Sequence, residues 1–166
     1  VKEFRSFLED RIKLNQANPQ LKEHENIAFE QIDFFKDKGV NLEKTRGIKV
    51  LPYIYNMEEI FFAADVVVGR AGAITVSEIT ALGKAAVLIP SPYVAHNHQE
   101  YNARYLEKNG AAKVVLEKEV SGERLAEEIN LILKDKSELE KMKLSSKNIG
   151  IADACEKIYN CIKELL

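Results

Sequence analysis

Tryptophan is absent from this 166-residue chain; cysteine and methionine occur twice each, proline four times and glycine eight times. The spacing of the two cysteines matches no zinc or redox motif. Cys155 and Cys161 lie six apart in a strongly helical stretch, a spacing that sets them on different faces, so buried thiols in a reducing compartment are the expectation. Long hydrophobic runs are missing too. The longest, Ile60 to Val68, is about nine residues and is broken by Asp65, well short of the ~20 residues of a membrane span. No basic-then-apolar signal pattern opens the chain. Nor does one charge dominate, since 24 Lys and Arg face 26 Asp and Glu for a net charge of −2. That balance argues against a nucleic-acid or anionic-membrane partner held by bulk charge, and the expected setting is cytoplasmic.

What is present is 46% hydrophobic residues, and a domain near this length buries roughly 70% of its unfolded surface. From about Ile48 onward, short apolar runs alternate with longer amphipathic ones, the signature of an α/β fold around a parallel sheet. Strands are expected over Ile48 to Ile54, Asp65 to Gly69 and Ala85 to Ile89, with a weaker one over Lys113 to Leu116. Their continuous apolar character suits strands covered on both faces. Helices are expected over Asn56 to Ala64, Ile74 to Leu82 ending at Gly83, Asn97 to Asn109 ending at Gly110, and Ser121 to Lys134 with Ser121 as N-cap. A last helix carries Ile151, Ala154, Cys155, Ile158, Ile162 and Leu165 as one stripe that should be buried across the sheet. Residues 1–47 read as two helices without a strand, with the turn at Asn18-Pro19, inside a single domain spanning 1–166.

Two loops carry candidate chemistry. GRAGAITVSE, residues 69–78, follows the Val66 to Val68 strand and opens a helix. Gly69 and Gly72 permit a tight turn and close approach of a ligand, and free N–H groups at the helix start favour phosphate. Arg70, Thr75 and Ser77 add charge and hydroxyls, while Glu78 can accept from a pair of sugar hydroxyls. On pattern alone a purely steric role for the glycines fits equally well, because the full GxGxxG fingerprint is missing. The second loop is PSPYVAHNHQEYNA, residues 90–103, where His96, Asn97, His98, Gln99, Glu100 and Asn102 crowd the next helix start. Loops at the carboxyl ends of neighbouring parallel strands face one crevice. The histidines read as exposed or capping groups, with no metal ligand set and no cofactor expected. Phe34, Phe35, Phe61 and Phe62 read as core aromatics, His24 has no partner in view, and the Glu/Lys mixture from Glu117 to Lys147 reads as a solvated face.

The run KVLPYIYNMEEIFFAADVVVGRAGAITVSEITALGKAAVLIPSPYVAHNHQEYNARYLEKNGAA, from Lys49 to Ala112, resembles the C-terminal domain of the MurG-type N-acetylglucosaminyltransferases, glycosyltransferase family 28. The resemblance continues more loosely to the C-terminus and so covers 48–166, whereas residues 1–47 carry no match. It implies half of a GT-B fold, a Rossmann-like parallel sheet with helices on both faces that binds UDP-N-acetylglucosamine. On that resemblance the backbone of Ile54 contacts uracil; Arg70, Gly72, Ala73 and Thr75 line the nucleotide and diphosphate; Glu78 holds the ribose. His98 and Gln99 of the HQ..NA motif meet the donor sugar, with Asn102 in support. It further implies inversion at the anomeric carbon, a lipid-linked muramoyl-pentapeptide acceptor, an N-terminal acceptor domain as partner, and a peripheral position on the cytoplasmic face of the inner membrane.

The family's opening strand and Gly/Ser-rich phosphate loop have no counterpart in residues 1–47. The leading expectation is therefore a donor-binding part that binds without turnover. A rival is a non-catalytic module with a vestigial site, serving folding or self-association through an exposed sheet edge. A UDP-sugar epimerase shares the two-domain architecture, but the local motif favours the transferase.

Overall fold

The computed structural model describes Leu51 and residues 54–165. The chain divides into two compact units, Val1–Met57 and Glu58–Leu166. The strand expected over Ile48 to Ile54 lies mostly outside the described residues, and the two N-terminal helices, His24, Phe34 and Phe35 lie wholly outside them.

The described part of the second unit follows a strand–helix alternation. Helix α1 (Met57–Ala63) leads to β1 (Val66–Gly69), α2 (Ala73–Ala81), β2 (Ala85–Leu88), α3 (His98–Lys108) and β3 (Ala112–Val114); then come α4 (Gly122–Lys134), α5 (Lys136–Ile149) and α6 (Ala154–Glu164). The strands pair in parallel in the order β1-β2-β3, with Val67 opposite Ala86 and Val87 opposite Lys113. Parallel strands require crossovers, and α2 and α3 supply them.

Period-two alternation in β2 divides the core between two layers. Ala86 and Leu88 face Ile79 of α2 and Ala103 and Leu106 of α3, while Ala85 and Val87 face Ile132 of α4 and Leu139 and Met142 of α5. All four residues of β2 are buried, which is why the strand reads as an unbroken apolar run. The helix ends follow their expected signals. Gly83 and Gly110 adopt left-handed φ values of 61° and 73° past α2 and α3, a region that favours glycine. Ser121 caps α4 by accepting from the Arg124 N–H at 3.1 Å.

Four expectations are corrected. The stretch from Glu117 to Lys147 is not merely a solvated face, because α4 and α5 bury Glu128, Ile132, Leu139, Met142 and Ser146. The final helix is not buried across the sheet: Ile158 is 60% and Leu165 86% exposed, and α6 has no buried residue. Cys155 and Cys161, carried on that helix, are exposed. Of the aromatic pair on α1, Phe61 packs against the core, whereas Phe62 is 75% exposed with the Lys84 ammonium over its ring.

Candidate functional site

Three parallel strands deliver three loops to one edge of the sheet, and a single side chain ties them together. Arg70, the first residue after β1, donates from Nη1 to the carbonyl of Ile89 beyond β2 at 3.2 Å and from Nη2 to Glu117 Oε1 beyond β3 at 3.1 Å. Its Nη1 also meets Glu117 Oε2, which makes the ion pair bidentate. The hydrogen bonds from Arg70 hold the Glu117 carboxyl below its ordinary range, and Glu117 raises the guanidinium in return. Arg70, expected to carry a charge at this loop, thus already has a carboxylate partner. Glu117 itself was not among the expected site residues. Its position three residues past the third strand was the signal available, hidden by the Glu/Lys-rich composition around it.

The start of α2 is open. Gly72 occupies the N-cap with φ −64° and ψ 151°, no side chain among the described residues caps the helix, and the first turn holds no acidic residue. The first backbone bond runs from Val76 N to Gly72 O at 2.9 Å, so the N–H groups of Ala73, Ile74 and Thr75 have no acceptor within the helix. Neither Gly69 nor Gly72 needs to be glycine for a tight turn, because each lacks a positive φ and a Cβ at either would meet no atom within 4 Å. The space above both is open. Ala73 is exposed and Thr75 half-buried, while Ser77 turns its hydroxyl back to the Ala73 carbonyl at 2.9 Å. Glu78 is exposed, and its carboxylate has no hydrogen bond or ion pair among the described residues.

The second loop is braced from within. Gln99 Oε1 accepts from the Ser91 N–H at 2.9 Å, and Ser91 Oγ accepts from the Tyr93 N–H at 3.3 Å. His96 and Asn97 both take left-handed backbone angles, φ 54° and 53°, just before α3; such a pair is uncommon away from glycine. Asn97 Nδ2 donates to Glu100 Oε2 at 2.7 Å, and the exposed His98 places Nδ1 2.8 Å from the Ala95 carbonyl. Asn102 Nδ2 donates to the Ala71 carbonyl at 3.0 Å, which fixes α3 against the turn that opens α2. A cleft of about 230 Å³ lies between Pro90, Pro92, Asn97, Glu100 and the segment Leu116 to Lys118.

The structure therefore gathers the 69–78 and 90–103 loops, joined by Arg70 and Asn102. Ile54 falls in the first unit, where it is half-buried and outside regular structure. Among the described residues no group of three or more His, Cys, Asp or Glu is arranged to hold a metal ion.

The family model of the glycosyltransferase family 28 C-terminal domain matches residues 6–158. An enzyme of Thermoanaerobacter sp. named UDP-N-acetylglucosamine–N-acetylmuramyl-(pentapeptide) pyrophosphoryl-undecaprenol N-acetylglucosamine transferase is 44% identical over 164 residues, covering 85% of this chain and 45% of that protein. Its namesake in Acetivibrio thermocellus is 52% identical over 129 residues, covering 78% of this chain and 35% of its own length. The crystal structure of Acinetobacter baumannii MurG superimposes with a TM-score of 0.64 at 32% identity, covering 70% of this chain and 33% of that one. The chain spans less than half the length of each of these relatives. Because the family match starts at residue 6, the resemblance reaches back through most of 1–47, which corrects the expectation that this segment carries no match. The Thermoanaerobacter stretch is also longer than the part of this chain it matches, since 164 residues face 85% of 166.

Proposed function

Because this chain belongs to the glycosyltransferase family 28 C-terminal domain family, we propose that it is the part binding UDP-N-acetylglucosamine in a peptidoglycan N-acetylglucosaminyltransferase that acts on a lipid-linked muramoyl-pentapeptide. The observation that carries the reading is the start of α2, uncapped among the described residues, with Glu78 exposed along the same helix and unpartnered among them. Open N–H groups and the positive end of the helix dipole suit a diphosphate. A carboxylate further along suits the paired hydroxyls of ribose.

In this reading Arg70, Gly72, Ala73 and Thr75 surround the nucleotide and diphosphate. Gln99 spends its carbonyl oxygen on Ser91 and keeps its amide donors for the sugar, with His98 beside it. Asn102 acts in support, through Ala71. Transfer inverts the anomeric carbon in one displacement as the UDP oxygen leaves. The charge that grows on that leaving phosphate meets the α2 amides and the guanidinium, stabilisation of the kind that lowers a barrier. The acceptor and the base that takes its proton are not assigned to residues of this chain. No described helix is long and apolar enough to cross a membrane, and the reading puts the protein at the cytoplasmic membrane face.

Titration of UDP and UDP-N-acetylglucosamine into the chain, followed by calorimetry, tests the reading. Both are expected to saturate. Glu78→Ala should weaken both at least about tenfold, since a charged hydrogen bond contributes roughly 1.5–3 kcal/mol. Unchanged binding in that variant removes Glu78 from the ribose, and failure of the parent chain to saturate at millimolar ligand removes the donor site.

A further inference from the structure

We propose that Glu117 is a positioning residue that aims Arg70 at the donor phosphates, an inference that rests on the donor-site reading above. A guanidinium carries five N–H donors in a rigid fork. Glu117 takes one from Nη1 and one from Nη2, gripping the fork end-on, and the Ile89 carbonyl takes the other Nη1 hydrogen on the flank nearest Cδ. The Nε–H and the second Nη2–H remain. They lie on one edge and have no acceptor among the described residues, and the Arg70 side chain is 51% exposed. Two parallel donors on one guanidinium edge match two oxygens of a phosphate.

The location supports the same assignment. Arg70 stands two residues before the Gly72 N-cap, so its free edge belongs to the loop that leads into the open amides of α2. Without Glu117 the long side chain regains its rotamers and must be ordered again when the ligand binds. The carboxylate adds no unpaired negative charge near the phosphates, because the guanidinium neutralises it. Glu117 is set by a short 3-10 turn, Glu117–Glu119, that begins three residues past the end of β3, and Val115 between them donates its N–H to the Leu88 carbonyl of β2 at 3.0 Å, so the grip is anchored to the sheet.

Affinities for UDP and for uridine in Glu117→Ala, Glu117→Gln, Arg70→Ala and the Arg70→Ala/Glu117→Ala double variant test this. Glu117→Ala should weaken UDP about two- to fivefold, the scale of an exposed ion pair, and leave uridine unchanged. Glu117→Gln, which keeps an acceptor oxygen, should recover part of the loss, and Arg70→Ala should exceed it. In the Arg70→Ala background the second substitution should add nothing. Tighter UDP binding in Glu117→Ala would mean that Glu117 competes with phosphate for the fork, and overturns the proposal. So would equal losses for UDP and uridine, a further loss in the Arg70→Ala background, or unchanged UDP affinity with the parent chain binding normally. A parent chain that binds neither ligand overturns the donor-site reading, and this inference with it.

Discussion

Helices α5 and α6 follow one another in the chain and differ in what they bury. Helix α5 opens with Asp135, whose Oδ1 accepts from the N–H groups of Ser137 and Glu138 at 2.9 and 3.1 Å, and it buries Leu139, Met142 and Ser146. Helix α6 carries the more apolar stripe, Ile158, Tyr159, Ile162 and Leu165, and leaves every member exposed. The difference lies in fit. Small groups let α5 approach the backbone of α2: Ser146 Oγ donates to the Ile79 carbonyl at 3.3 Å, and just beyond α5 Gly150 lies so near Thr80 that a Cβ would fall 2.2 Å from its carbonyl oxygen. Close packing needs matched surfaces as well as apolar ones.

The sharpest way to test that account is to remove the close approach. Gly150→Ala adds one methyl group where the nearest atoms are Thr80 O, Thr80 C and Ala81 N, all backbone and unable to swing aside. The last turn of α5 must then lift from α2. Overpacking against fixed backbone belongs with the severe substitutions, and a loss of about 4 kcal/mol or more is expected in urea unfolding. A loss below about 1 kcal/mol would mean that α5 rests on α2 more loosely than its contacts imply.

Next in size is truncation within the same layer. Met142 is 2% exposed and packs with Ala85, Val87, Val115, Ile132 and Leu139. Met142→Ala should cost about 2–5 kcal/mol, lost transfer energy together with a cavity that the sheet cannot close. The denaturant midpoint should fall with the slope unchanged, since the folded state keeps its extent.

These contacts also explain what could be read from the sequence. Strand β2 was legible because both its faces are covered, which leaves no polar residue to break the run, whereas β1 reads as apolar although none of its residues is buried and Val68 is 42% exposed. Gly83 and Gly110 marked helix ends through their left-handed backbone. Helix α5 was hidden because its buried side is made by Leu139, Met142 and a serine among lysines and glutamates, and Ser146 is buried through a hydrogen bond that only the fold creates. Helix α6 misled in the other direction, since periodicity records a face able to be buried and cannot name the surface that buries it. At the site, the two loops were legible as strand-to-helix turns rich in glycine and amides. Glu117 was not, because a long-range pair 47 residues from Arg70 leaves no local pattern.

The smallest expected effect completes the contrast. Ile158 is 60% exposed at the middle of α6, so Ile158→Glu removes little buried area and adds a charge that water solvates. It should change unfolding free energy by no more than about 0.5 kcal/mol, as surface substitutions do. The new carboxylate stands four residues before Ile162 and five before Lys163, so no i, i+4 cation is present to reward it. Urea unfolding beside Met142→Ala gives the reading. A loss as large as that of Met142→Ala would mean that the α6 stripe carries stability after all, and the distinction between a fitted helix and an unfitted one would fall.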